Sequence, residues 1–138
     1  TVERFYLNQA EKLHLQLIAG GSGLSKKIVE GAVNRPGLGL AGFFEYFANK
    51  RVQVIGGAEW QYIKSLTHDG AIDRVKQLLA QKVPCVVFAR NINPPAFVLA
   101  LCDRMQVPAF KTKMVTMKFV NAATLAMSAV SNIWFLNP

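Results

Sequence analysis

Glycines set beside lysines and arginines are the residues of this chain whose types and spacing come nearest to chemistry. Backbone amides in a tight loop and a cationic side chain are what a phosphate group needs. The run Gly20-Gly21-Ser22-Gly23-Leu24-Ser25-Lys26-Lys27 has that composition, but its register is wrong. A Walker-type loop requires Gly-x-x-x-x-Gly-Lys-Ser/Thr, and the sixth position is Ser25 counted from Gly20 and Lys26 counted from Gly21. A turn with a solvated lysine pair is the better reading. Gly37, Gly39 and Gly42 spell Gly-x-Gly-x-x-Gly, the dinucleotide fingerprint, with Arg35-Pro36 directly in front. That fingerprint must follow a buried central strand, where proline cannot donate its ladder hydrogen bond. These glycines are read as a shaped loop, from which Arg35 could face a phosphate or carboxylate.

A second constellation follows from topology. In open α/β sheets, ligands sit beyond the carboxyl ends of the strands. The expected strand ends carry Gly56-Gly57, Arg90-Asn91 and Lys111-Thr112-Lys113, and Thr116 opens a helix. Arg35, Gly56, Gly57, Arg90, Lys111, Thr112 and Thr116 are therefore the candidate anion- or ligand-binding residues, against the alternative of a solvated basic edge. No catalytic residue is assigned. His14 is placed in a strand and His68 in a polar loop, without nucleophile–base logic. Asp69 and Asp73 beside His68 admit a metal, but helix capping is preferred and no metal is expected. Trp60, Tyr62 and Phe88 fit core positions.

The elements that must position these residues read as alternating helix and strand. Thr1 caps a helix running to Lys12, and Leu13–Ala19 is a strand ending at Gly20-Gly21. Ile28–Val33 is a short second strand, and Phe43–Ala48 is a helical turn or a loop. Val52–Ile55 is a strand, followed by a helix over Ala58–Leu66. Another helix begins at Asp69 or Asp73 and ends near Val83. Pro84–Ala89 is apolar throughout, as a strand covered on both faces should be. Asn93 caps a helix to Met105, Val107–Lys111 is a strand, and a long helix follows Thr116. This spacing predicts a layered α/β domain with a mostly parallel sheet.

Bulk properties agree with a single domain over residues 1–138. The chain is 51% hydrophobic and 17% charged, which argues against disorder. A net charge of +8 favours anionic partners, yet no Lys/Arg run exceeds two and no nucleic-acid-binding signature is present. Cys85 and Cys102 lie in apolar runs and read as buried thiols, in keeping with a reducing cytoplasm. The first residues of this sequence carry no basic-then-apolar signal-peptide pattern. Val115–Leu136 comes closest to a membrane span, but Lys118, Asn121, Thr124, Ser128, Ser131 and Asn132 make it a buried or interface helix. Its Phe119, Val120, Ala123, Met127, Val130 and Trp134 make it the expected subunit contact. The chain opens at Thr1 and is expected to be a piece of a longer product.

Asn34-Arg35-Pro36-Gly37-Leu38 with Leu40-Ala41-Gly42-Phe43-Phe44 resembles the N-terminal domain of HPr kinase/phosphorylase. So does Arg51-Val52-Gln53-Val54-Ile55-Gly56 followed by Glu59. Pro84, Arg90, Pro94, Val107-Pro108, Thr112 and Thr116 follow in the family's order, and the resemblance runs from Thr1 to about Met127. It implies a bacterial, cytoplasmic, oligomeric and typically hexameric enzyme of carbon metabolism. Such an enzyme phosphorylates a serine of HPr, the phosphocarrier protein, with ATP and Mg2+, and removes that phosphate by phosphorolysis. The family's catalytic P-loop domain would follow Pro138, so the resemblance implies no catalytic residue or cofactor on this chain. The family's N-terminal domain is itself similar to the UDP-binding N-terminal domain of Mur ligases. The tail Ala129–Pro138, with Trp134 and Phe135, departs from the family's lead into the catalytic domain. The implied role is non-catalytic, regulatory or architectural, with the chain's own C-terminal domain, HPr and further subunits as partners. The alternative is a sensor of a nucleotide or phosphorylated metabolite, binding at the strand ends.

Overall fold

Segments that are hydrophobic on both faces become the inner strands of one sheet. A computed structural model describes residues 1–45 and 47–136, with the side chains of all of these except Leu38 and residues 129–136. The strands are β1 (Gln16–Ala19), β2 (Val33–Asn34), β3 (Val52–Ile55), β4 (Val86–Phe88) and β5 (Ala109–Lys111), ordered β1-β5-β4-β3-β2. β2 to β5 are parallel, and β1 joins β5 antiparallel. The sheet is thus mixed and mostly parallel, as the alternating pattern predicts.

The helices are α1 (Val2–Gln9), α2 (Gly37–Leu40), α3 (Gly57–Ser65), α4 (His68–Leu79), α5 (Ala96–Met105) and α6 (Thr116–Leu136). Strand alternation sorts the core into two layers. Ile55, Val86, Phe88 and Ala109 face Leu40, Ile63, Val75, Leu78, Val98 and Leu101 from α2 to α5. Val52, Val54, Val87 and Phe110 face Val2 of α1 and Phe119, Ala123 and Met127 of α6. The physical cause is winding direction. β2, β3, β4 and β5 are successive neighbours, so crossovers of the favoured hand place every intervening helix on the same face. α6 returns across the opposite face, over β2 and β3. One buried polar residue lies inside β3. Gln53 donates to the carbonyls of Ala48 and Arg51 at 2.9 and 2.8 Å and accepts from Asn34 at 2.8 Å, so its burial leaves no group unpaired.

Several boundaries differ from the sequence reading. α1 stops at Gln9, and His14 takes a left-handed conformation in the turn before β1, outside the strand. The second strand shrinks to Val33–Asn34, because as an edge strand it finds partners only in Val52 and Gln53. Gly37–Leu40 forms a helical turn, and Phe43–Phe44 lie in the irregular segment after it. α4 begins at His68 under the hydroxyl of Thr67, which accepts from the Gly70 amide at 3.1 Å; neither Asp69 nor Asp73 caps it. α5 begins at Ala96 with Pro95 in the N-cap position, not Asn93. Consecutive prolines disfavour the helical conformation of the residues before them. Lys26 is not a solvated lysine. It is half-buried, donates to the Val83 carbonyl at 3.2 Å, and is lowered from its ordinary pKa by desolvation, against the influence of nearby Cys85.

The expected contact face of α6 is also revised. Phe119, Ala123 and Met127, with Val120 beside them, cover the domain's own sheet, because their spacing along the helix points them at the face that carries Val52 and Val54. Val130 and Trp134 lie outside the described side chains. Met117 and Leu125 are the large apolar residues that α6 leaves exposed. Among the described residues, no helix is long and apolar enough to cross a membrane.

Cys85 and Cys102 are buried free thiols, each pushed up to about 12 chiefly by desolvation. Lys26 partly opposes the rise at Cys85, and Asp103 adds to it at Cys102. Both folded-state values exceed the unfolded value of about 8.5. The protonated thiols therefore contribute stability that is complete below that value and lost as pH climbs towards about 12. Unfolding midpoints in urea should fall progressively from about pH 9 upward. Near pH 8 a thiol reagent should label neither cysteine until the chain unfolds. Rapid labelling of the folded protein would contradict this placement.

Candidate functional site at the strand ends

Because β2 to β5 run parallel, the residues leaving each strand meet along one edge of the sheet. Arg35 leaves β2, Gly56 leaves β3, Arg90 follows β4 and Lys111 closes β5. α3 starts on one face of this edge. α6 starts on the other, so two helix N-termini, each the positive end of its dipole, bracket the end of β3.

Gly56 lies at the centre. A Cβ added there would sit 2.8 Å from Arg35 Nη2 and 2.9 Å from Thr116 Oγ1. Two residues remote in sequence thus close over a position that only glycine fits. Arg35 is held by a fork of hydrogen bonds. Its Nε and Nη2 donate to the two Glu59 carboxylate oxygens at 2.8 and 2.9 Å, and Oε1 also accepts from the Gly56 amide at 2.9 Å. The Glu59 side chain is 5% exposed and that of Arg35 37%. Glu59 is the third residue of α3, so it brings its own negative charge to that helix terminus. The remaining Arg35 nitrogen, Nη1, lies 4.0 Å from the sulfur of Met117.

Arg90 and Asn91 are both left-handed, with φ of 56° and 57°, in a turn closed by the Ile92 amide on the Ala89 carbonyl at 3.1 Å. Such backbone costs a residue with a side chain about 1–2 kcal/mol. It is offset by two long-range bonds: the amides of Arg90 and Asn91 donate to the carbonyls of Met114 and Thr112, each at 2.9 Å. The turn is thereby fastened to the β5–α6 connection. The Arg90 side chain is set against the first residue of α3, its Cδ 3.8 Å from where a Gly57 Cβ would be.

The seven residues singled out from sequence separate into groups. Arg35, Gly56 and Thr116 converge on one point, and Gly57 and Arg90 adjoin them. Lys111 stands two strands away and donates to the Asn93 side chain. Thr112 turns inward, donating to the Leu13 carbonyl at 2.7 Å and accepting from the Met114 amide at 3.2 Å. Thr116 Oγ1 is buried without a hydrogen-bond partner among the described residues. Sequence reasoning passed over Glu59 and Asn93 as members of the cluster. The signal for Glu59 was present: a Glu three positions after the glycine that ends a strand is half of a capping box.

The two glycine-rich segments are engaged elsewhere. Cβ atoms added at Gly20 and Gly23 would lie 1.9 Å from the carbonyl oxygens of Val107 and Gln106, so this loop faces backbone oxygens, which repel phosphate. Gly37–Leu40 is a single turn after a two-residue edge strand, and Gly39 and Gly42 pack against Phe47 and Arg74. His68 stacks edge-on against Phe97 at 5.2 Å. Among the described residues, no cluster of three or more His, Cys, Asp or Glu side chains could hold a metal ion.

Comparison with known sequences gives a consistent result. The family model described as HPr Serine kinase N terminus matches residues 2–127. HPr kinase/phosphorylase of Leptospira biflexa is 34% identical over 120 residues, covering 87% of this chain and 37% of that protein. The Caldicellulosiruptor bescii protein of the same name is 36% identical over 111 residues, covering 80% of the chain and 36% of the relative. That of Treponema pallidum is 31% identical over 128 residues, covering 93% and 39%. The chain thus spans under two-fifths of the length of the curated relatives it matches.

Proposed function

The chain belongs to the HPr serine kinase N-terminal family, and on that premise we propose that it is the non-catalytic, architectural domain of a bifunctional HPr serine kinase/phosphorylase. The observation that carries this reading is the extent of the match. It takes in the whole layered domain, from α1 well into α6, while the relatives are more than twice as long. Gly20 and Gly23 close on backbone oxygens, and Gly39 and Gly42 on the side chains of Phe47 and Arg74, which supports placing the chemistry elsewhere.

In this reading a separate catalytic domain binds ATP and Mg2+, transfers phosphate to a serine of HPr, and reverses the transfer by phosphorolysis. This domain holds that unit in place within a cytoplasmic bacterial oligomer that regulates carbon metabolism. The exposed Met117 and Leu125 of α6 are the part of that helix offered to such neighbours. Incubated with HPr, ATP and Mg2+, the 138-residue chain alone should leave HPr unphosphorylated. A chimera with this segment in place of the matching part of the Leptospira biflexa enzyme should regain serine phosphorylation. Phosphoserine formed by the chain alone would refute the non-catalytic role, and a folded chimera without activity would refute the architectural one.

A further inference from the structure

We propose that the sheet edge between the first turns of α3 and α6 binds the phosphate group of a small phosphorylated metabolite. The amides of Gly57 and Ala58, the guanidinium of Arg90 and the hydroxyl of Thr116 would be its donors. The inference rests on the geometry around Gly56 and is independent of the family assignment.

Three observations converge. The first is donors without acceptors. Among the described residues, no acceptor faces the backbone N–H groups of Gly57 and Ala58, since Glu59 reaches past them to the amide of Gly56. α3 is nine residues long and begins with its positive terminus at this edge. The second is Thr116. Its residue is 5% exposed, its Oγ1 has no partner among the described residues, and it lies over Gly56, the residue that caps α3. A buried hydroxyl left unpaired costs stability, and a site that needs it only when loaded explains why it is there. The third is charge. The strand-end segments contribute Arg35, Arg90, Lys111 and Lys113, against the single carboxylate of Glu59 in the first turn of α3. Since Arg35 already holds Glu59, Arg90 remains the unpaired cation nearest to Gly57 among the described residues.

A phosphate dianion suits this set better than a carboxylate. Its oxygens diverge tetrahedrally, so one can take the paired amides while others reach the guanidinium and the hydroxyl. Thr116 Oγ1 is closed off from solvent beside Gly56 and Arg35, so binding includes a small outward shift of Arg35 or of the first turn of α6. The backbone that carries Arg90 is set beforehand, because its strained turn is fastened to Thr112 and Met114.

The test is a titration of the 15N-labelled 138-residue chain with inorganic phosphate, glucose 6-phosphate and UDP, following the amide resonances of Gly57 and Ala58. Saturable shifts at these residues are expected, in the millimolar range or tighter. Arg90→Ala should weaken them by about tenfold or more. Thr116→Val should weaken binding too, while raising the melting temperature of the unliganded chain by roughly 2–4 °C, because an unpaired buried hydroxyl is removed. Thr116→Ser should retain binding. A residue with only a packing role would not move stability and affinity in opposite directions. Tighter binding of the two esters than of inorganic phosphate identifies a metabolite. Equal binding of all three, or absence of saturable shifts, overturns the proposal, as does affinity indifferent to Arg90→Ala and Thr116→Val.

Discussion

Gly20→Ala is expected to cost at least about 4 kcal/mol of folding stability, in the range where single substitutions become exceptional. Gly20 follows β1 with φ of +71°, a conformation that adds about 1–2 kcal/mol for a residue carrying a side chain. The larger part is steric. The new Cβ would stand 1.9 Å from the Val107 carbonyl oxygen, 2.5 Å from its carbon and 2.9 Å from Pro108 Cα. All three are backbone atoms, so no side chain can swing aside, and the segment entering β5 must move. Movement there would also strain the bond from the Gly20 amide to the Asp103 carboxylate, 2.6 Å long. A domain of this kind has only about 5–15 kcal/mol in total. Urea unfolding monitored by circular dichroism should show a much lower midpoint or a largely unfolded chain. Gly37→Ala is the control: nothing lies within 4 Å of its added Cβ, and its effect should stay within about 0.5 kcal/mol. A Gly20→Ala variant as stable as this control would show that the two segments do not touch.

Arg35→Met is expected to cost about 2–3 kcal/mol, the second largest effect. Removing one partner of a fully buried ion pair costs about 3–5 kcal/mol, because the other charge is stranded. Here the discount comes from Arg35, which is 37% exposed, while its partner Glu59 is almost wholly enclosed. Glu59→Gln should cost less than Arg35→Met, since the guanidinium left behind can turn to solvent whereas the carboxylate cannot. In a double-mutant cycle the pair should show a coupling of about 1.5–3 kcal/mol. Additive effects of the two substitutions would mean that the fork is not formed in solution. The same fork ties β2, at the sheet edge, to the first turn of α3, so its loss should be felt first as exposure of residues near Val33–Asn34.

Much of the architecture was legible because it depends on short-range patterning. Val52–Ile55 was placed as it stands, since a four-residue run buried on both faces leaves few alternatives. Two glycines and then a helix-forming stretch marked the start of α3 within one residue. Legibility failed where a neighbour in space decides. Asn93 has the chemistry of a cap, but Pro94 and Pro95 delay the helix and its side chain accepts from Lys111 instead. Thr112 reads as a strand-end donor, yet the carbonyl of Leu13, almost a hundred residues away, takes its hydroxyl into the core. On α6 the apolar spacing was visible, but not whether it would cover the chain's own sheet or another subunit. The apolar sheet face that carries Val52 and Val54 settled that for Phe119, Ala123 and Met127.

The sequence by itself determined the order of helices and strands, the mostly parallel α/β class and the family, because each rests on local periodicity or on matched residues in line. It also set out the strand-end glycines and cations as a list of candidates. Only the tertiary structure decided which of them meet. Parallel pairing in the order β5-β4-β3-β2 brings their carboxyl ends to one edge, and the return of α6 over the opposite face lays Thr116 on Gly56. Arg35 then reaches Glu59 from the neighbouring strand. Those meetings depend on strand register and crossover hand, which long-range packing imposes and no local stretch of residues encodes.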